Sequence, residues 1–156
     1  MTSFQEFLHK KAEEQRVLSR RELRDEWVDA VNRLLLDIDT WLDEADTEGI
    51  LDRLDVPFER AEVGLGRYTV QGLRISVGDL AVEVVPIARN VVGSPRLGGV
   101  GAKLAGRVDI GDGIKKYIVR RVLSDHEEFW EVSDERFGAT LLDRAKLESI
   151  LQDLLA

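Results

Sequence analysis

Apolar residues recur every three or four positions in the first third of the chain, which is the spacing of one helix face. The stripe consists of Leu23, Trp27, Val31, Leu34, Ile38, Trp41 and Ala45. Its seven-residue rhythm predicts a long amphipathic helix over residues 19–46. Leu35 and Leu42 widen the stripe, as is typical of a helix that lies on a core.

Residues 1–18, which precede this helix, are mostly polar but begin with a small apolar cluster. The cluster consists of Phe4, Phe7 and Leu8. Ser3 with Glu6, and Ser19 with Glu22, fit two capping boxes. A continuous helix from Ser3 would be roughly 65 Å long, whereas a compact chain of this length is only about 40 Å across. The chain must therefore either bend near Ser19 or extend a protruding helical arm that offers the cluster to a partner.

From Val56 onward apolar and polar residues alternate, and glycines interrupt the alternation. A period of two predicts about six β-strands within residues 56–134. Gly78 and Asp79 stand between two alternating runs, which predicts a two-residue hairpin. The links are too short for parallel crossovers, so we expect a mostly antiparallel sheet.

Helical spacing returns at the end of the chain. The apolar positions there are Leu147, Ile150, Leu151 and Leu154. Asp143 fits an N-cap, so the pattern predicts a helix over residues 143–155. Helices at both ends of a strand block predict the α+β class. At 156 residues we expect a single domain over residues 1–156.

Charge is distributed unevenly along a chain whose net charge is −8. Residues 1–48 and 124–156 are each strongly acidic, whereas the stretch between them carries excess positive charge. Residues 86–123 hold eight basic side chains against only Asp109 and Asp112. An acidic protein is repelled by nucleic acid unless basic groups are segregated on one surface, so nucleic acid is a disfavoured partner.

The composition also limits compartment and chemistry. The chain has no cysteine, which excludes disulfides, thiolate nucleophiles and cysteine-ligated zinc. Its first residues lack the apolar stretch of a secretory signal, and it has no run of apolar residues long enough to span a membrane. We therefore expect a cytoplasmic protein with no membrane partner.

The glycine-rich stretch over residues 93–106 does not match a phosphate-binding loop. Gly99 and Gly101 supply two positions of a dinucleotide fingerprint, but Leu104 occupies the third and a strand-like pattern follows instead of a helix. Residues 101–104 also depart from a P-loop. We interpret the stretch as a flexible connector between strands, and the sequence predicts no cofactor.

The basic residues around this connector are the candidates for contact with an anion or a partner. They are Arg89, Arg96, Lys103 and Arg107. The competing interpretation is that basic strand residues pair with acidic groups of the same chain. Arg120 and Arg121 are neighbours in a strand and so point to opposite faces.

No catalytic or metal-ligating constellation stands out. The two histidines are His9 and His126, and the acidic cluster around His126 is typical of a hairpin turn. Among the aromatic residues, Trp130 stands beside Phe129 in a strand, so one of the two faces outward. Together with Phe4, Phe7 and Leu8, Trp130 is a candidate for partner contact.

We therefore favour a non-enzymatic cytoplasmic protein-interaction module that assembles with another protein or with itself through its N-terminal helix. An accessory subunit, a chaperone-like protein, and an antitoxin or immunity-type inhibitor all fit this class. The alternative is a small metal-dependent nucleic-acid-processing enzyme, or an anion-binding protein, that uses the basic segment over residues 86–123. The enzyme requires Asp109 to line a concave site beside Lys115 or Lys116.

Overall fold

The computed structural model describes residues 3–125, 127–134 and 138–156. It confirms the α+β class. Helix α1 spans Ser3–Ala45 and helix α2 spans Arg144–Leu154. Between them lie β1 (Asp52–Glu62), β2 (Gly66–Val77), β3 (Leu80–Ala88), β4 (Lys103–Gly111), β5 (Lys116–Ser124), β6 (Glu127–Asp134) and β7 (Gly138–Leu141).

The strands form one antiparallel sheet in which each strand pairs with its neighbours in sequence, from β1 to β7. The predicted hairpin at Gly78 and Asp79 is confirmed, because Val77 pairs with Leu80. Within the residues described, the sheet has seven strands and not six. The strand that the pattern missed is β7, whose four residues are too few to display a period of two.

The core lies between one face of the sheet and the two helices. Trp27, Val31 and Ile38 on α1 are completely buried there, and they pack with buried apolar residues of strands β2 to β6 and of α2. The predicted N-cap is confirmed, since the Asp143 carboxylate accepts a hydrogen bond from the Lys146 amide at 2.8 Å. We call this the helix-covered face of the sheet and the opposite one the open face.

Trp27 reaches the sheet at a glycine. Gly106 in β4 has a φ of +155°, and a β-carbon built there would stand 2.0 Å from the Trp27 ring. The pairing of β4 with β5 shifts register between Leu104 and Arg107, on either side of this residue. Any side chain at position 106 would therefore collide with the indole.

Trp130 is a core residue and not an exposed contact, which corrects the prediction made for it. It is 7% exposed, and its ring packs 6.1 Å from that of Trp27. Phe129, which faces the other side of the sheet, lies close to Gly98 in the segment between β3 and β4. Because strand neighbours alternate in direction, the sequence left two assignments open, and packing on α1 selects this one.

Candidate functional site

Helix α1 continues through Ser19 without a break, so the bend is absent. Among residues 3–26 none is buried, and we call residues 3–23 the arm. Its apolar side chains are well exposed: Phe4 is 66%, Phe7 51%, Leu8 44% and Leu18 45% exposed. The structure thus leaves the predicted apolar cluster open to solvent.

The exposed stripe of the arm lies on the side of the helix opposite to the core. At about 100° per residue, Phe4, Phe7, Leu8 and Leu18 fall within an arc about 100° wide. Trp27 and most of the buried residues that follow it lie roughly 120–180° round the helix from Phe4, and Ala30 lies about 80° from it. Since the body lies on that other side, it cannot cover the stripe without a break in the helix.

The two ion pairs within the arm are local. Lys11 pairs with Glu14 at 3.2 Å and Arg16 pairs with Glu13 at 3.1 Å, each within one helix turn and exposed. Pairs of this kind contribute about 0.2–0.5 kcal/mol each. A projecting polar helix of this length is marginal in water without a packed face. The arm would gain stability from a partner on its apolar stripe.

An ion-pair cluster marks the place where the arm joins the body. Arg121, nearly inaccessible to solvent, bonds the carboxylates of Glu26 on α1 and Glu128 on β6. Arg33 also reaches Glu128, at 2.9 Å. The hydrogen bond from Arg121 is the main reason why the pKa of Glu26 is lowered. This cluster ties α1 to the sheet just beyond the arm.

Most basic strand residues pair with acidic groups of the same chain, as the competing interpretation expects. Arg107 binds both carboxylate oxygens of Asp109, at 2.8 and 3.0 Å. Arg120 binds Glu131 on the open face, whereas Arg121 points to α1, so these neighbours do lie on opposite faces. The basic segment is therefore largely neutralised from within.

The segment between β3 and β4, residues 89–102, is held at two points by carboxylates. We now call this segment the connector, because residues 103–106 of the predicted stretch belong to β4. Glu62 accepts hydrogen bonds from the amides of Arg89 at 3.1 Å and Asn90 at 3.0 Å. Glu131, which is completely buried, accepts them from the amides of Arg96 at 3.0 Å and Leu97 at 2.9 Å. These amides, which could otherwise bind a phosphate, are already occupied by acids of the chain itself.

Sequence reasoning missed Glu62 and Glu131 as anchors of the connector. Each is one of thirty acidic residues, and each bonds amides at least 27 positions away. The one local signal was Glu131 itself, which stands between the apolar residues Trp130 and Val132 in a central strand. A charged side chain in such a strand must either bind a buried partner or point to a solvent-exposed face of the sheet.

Two of the four anion candidates meet at one cleft. The cleft has a volume of about 290 Å³ and lies on the open face. It is lined by Val91, Val92, Arg96, Arg107, Ile118, Arg120 and Ser133. Arg89 and Lys103 do not line it: the Arg89 charge contributes to lowering the pKa of Glu26, and Lys103 is exposed at the start of β4. We call this site the arginine cleft.

A larger basin of about 650 Å³ lies beside the arginine cleft on the same face. Asp109, Asp112, Lys115 and Lys116 all line it, so the concave placement that the enzyme alternative requires is present. Arg107, however, occupies both oxygens of Asp109, and Lys116 stands 3.6 Å from the same carboxylate.

The other two groups of the basin also have structural partners. Asp112 accepts the amides of Ile114 and Lys115 at 2.8 and 2.7 Å, and these bonds lower its pKa. The Lys115 ammonium bonds Asp153, which raises its pKa. A lysine with a raised pKa is a weak general base at neutral pH. The bonding of these groups suits a hairpin turn better than catalysis.

No protein-family model, no curated protein and no solved structure matches the chain. Neither helix, within the residues described, is long and apolar enough to cross a membrane. Over residues 3–125, 127–134 and 138–156, no three acidic or histidine side chains are grouped so that they could hold a metal ion. His126 lies outside these ranges.

Proposed function

We propose that this protein is a non-enzymatic interaction module whose arm pairs with the arm of a second copy. One observation carries the proposal: α1 projects about 30 Å beyond its last contacts with the body, with an apolar stripe that the body cannot cover. Exposed apolar stripes on otherwise polar elements are typical of surfaces that bind a partner.

Charge complementarity favours a second copy in antiparallel orientation. A two-fold axis between residues 12 and 13 places Phe7 of one arm opposite Leu18 of the other. The same axis places Lys11 opposite Glu14, so opposite charges meet in the polar middle of the stripe. A parallel pair in register would instead place Lys11 opposite Lys11, which is destabilising.

The length of the arm fits this arrangement. With the axis between residues 12 and 13, Ser3 at the start of α1 lies opposite Glu22. The overlap therefore ends just before Trp27, where the helix enters the body. Because each body lies on the side of its helix away from the stripe, the second arm approaches without a collision. The pair would be an elongated dimer with one body at each end.

The oligomeric mass in solution tests the pairing. We expect light scattering across a concentration series to give twice the 17.6 kDa mass of one chain for the natural sequence. Leu18→Glu should return the mass to that of one chain, because it places a carboxylate opposite Phe7. Circular dichroism on the same samples would show that the body stays folded.

Leu23→Glu is the matched control. It makes the identical substitution at a leucine of the same helix that is 38% exposed, against 45% for Leu18. In this register the overlap ends at Glu22, so Leu23 has no residue of the second arm opposite it and the dimer should persist. A mass of one chain for the natural sequence at about 100 μM, or equal dissociation by both variants, would overturn the proposal.

A further inference from the structure

Beyond assembly through the arm, we propose that the arginine cleft binds a small oxyanion, a carboxylate or a phosphate. Three arginines line it, Arg96 from the connector, Arg107 from β4 and Arg120 from β5. The Arg96 guanidinium also donates a hydrogen bond to the Gly138 carbonyl at 3.1 Å. Arginine is suited to such ligands because its planar N–H fork matches the oxygens of a carboxylate or a phosphate.

The bonds to acidic residues do not use all the guanidinium N–H donors of the cleft. A guanidinium has five N–H donors. Arg107 directs its Nε and Nη2 to Asp109, and Arg120 directs its Nη2 to Glu131. In the part of the chain that the structure describes, the buried Nε of Arg120 has no hydrogen-bond partner. Arg107 and Arg120 thus keep N–H groups for an anion.

Around Asp109 and Glu131, the described basic side chains that contact these carboxylates outnumber them. Arg107 binds Asp109 and Arg120 binds Glu131. Lys116 adds a further positive charge 3.6 Å from Asp109 on the side of the basin. An anion that enters the cleft would therefore offset this positive charge and accept charge-assisted hydrogen bonds from the guanidinium groups.

The cleft is also preformed. Arg107 and Arg120 are direct cross-strand partners in the β4–β5 pair. The connector that supplies the opposite wall is fixed by Glu62 and Glu131. Sites that need no rearrangement lose less binding energy to ordering. A volume of about 290 Å³ is at the lower end for ligand sites, which favours a small anion over a nucleotide.

Titration with inorganic phosphate and, separately, with succinate at constant ionic strength tests the site. We expect saturable shifts of the Arg107 and Arg120 Nε–H resonances and of the Val91 and Val92 amides in two-dimensional NMR spectra. An affinity in the millimolar range is about what a partly exposed guanidinium cluster provides. Saturation by phosphate alone would assign a tetrahedral ligand, and by succinate alone a carboxylate.

Two exposed valines of the connector supply a matched pair of variants. Val92 lines the cleft and is 98% exposed, and Val100 is fully exposed outside it. Val92→Glu brings a competing carboxylate to the cleft and should weaken binding about tenfold or more, a difference of roughly 1.4 kcal/mol. Val100→Glu makes the same charge change and should weaken it less than about twofold.

Absence of saturation by either anion up to about 20 mM would overturn the proposal. Equal weakening by Val92→Glu and Val100→Glu would overturn it too, because diffuse attraction to a basic surface would then explain the binding. Both valines are exposed, so neither substitution should impair folding. Dimerisation through the arm plays no part in this test, and the two proposals can fail separately.

Discussion

The two halves of α1 form one uninterrupted helix but differ in what surrounds them. From Trp27 onward the apolar stripe is sealed against the sheet and α2. In the arm, a sparser apolar stripe with a polar middle faces water on the opposite side of the helix. The comparison teaches that helical periodicity identifies a face that needs covering, whereas it does not say whether the same chain or another one covers it.

The largest difference is expected between Trp27→Ala and Phe7→Ala. Trp27 is completely buried, so its truncation should lower the free energy of unfolding by about 3–5 kcal/mol. Phe7→Ala should change it by less than about 0.5 kcal/mol in the monomer, as is usual for exposed sites. Urea unfolding followed by circular dichroism, at a concentration where the chain is monomeric, measures both. Equal losses would mean that the arm folds onto the body.

The contact between the buried half of α1 and the sheet is tested by Gly106→Ala. Because a β-carbon there would stand 2.0 Å from the Trp27 ring, the variant should lose about 2–4 kcal/mol of unfolding free energy through overpacking and strain. Gly99→Ala is the control, since Gly99 also has a positive φ but nothing within 4 Å. Its loss should be about 1 kcal/mol. Similar losses for the two would show that Trp27 moves aside easily.

Arg121→Gln and Arg16→Gln together compare an ion pair at the buried half of α1 with an ion pair of the arm. It leaves Glu26 and Glu128 without their shared, buried partner, and the cost should be about 2–3 kcal/mol because Glu26 is half-exposed. Arg16→Gln removes an exposed pair of the arm and should cost less than about 0.5 kcal/mol. Thermal unfolding of both variants at moderate salt would check this order. A neutral Arg121→Gln would contradict the role assigned to the cluster.

A smaller effect is expected from pH. The hydrogen bond from Arg121 lowers the pKa of Glu26 below its ordinary value of 4.5. A glutamate with a lowered pKa stabilises the fold above its unfolded-state value, and this contribution is lost as the pH falls through the folded-state value. Between pH 5 and the acid transition, unfolding free energy should therefore decline less steeply in Glu26→Gln than in the natural sequence. Parallel curves would show that Glu26 contributes nothing to acid sensitivity.

Local patterns predicted most of the fold because its elements are regular. The spacing from Leu23 to Trp41 predicted the buried half of α1, and Gly78 with Asp79 predicted a hairpin. The arm was harder, because a capping box at Ser19 and Glu22 fits a helix start as well as a helix interior. Only the position of the body relative to the stripe distinguishes a helix that starts at Ser19 from one that continues through it. That position depends on contacts between residues distant in sequence.

The arginine cleft could be predicted only in part. Charge alone identified Arg96 and Arg107 as candidates. Arg120 lies at the cleft because the β4–β5 register places it beside Arg107 and the β5–β6 register places it beside Glu131. Register depends on the shift between Leu104 and Arg107, which a period-two pattern does not reveal. Arg89 had the same charge signal but lies elsewhere, since strand alternation is lost in the connector.

Disulfide formation between two single-cysteine variants tests the antiparallel pairing of the arms most directly. The chain has no cysteine of its own, so Phe7→Cys and Leu18→Cys each introduce a unique thiol. In the antiparallel pair, like positions lie roughly 16 Å apart along the helix axis, well beyond disulfide reach. We therefore expect a crosslinked dimer from the mixture and from neither variant alone. A crosslink in either variant alone would indicate a parallel pair, and no crosslink in the mixture would contradict pairing through the arm.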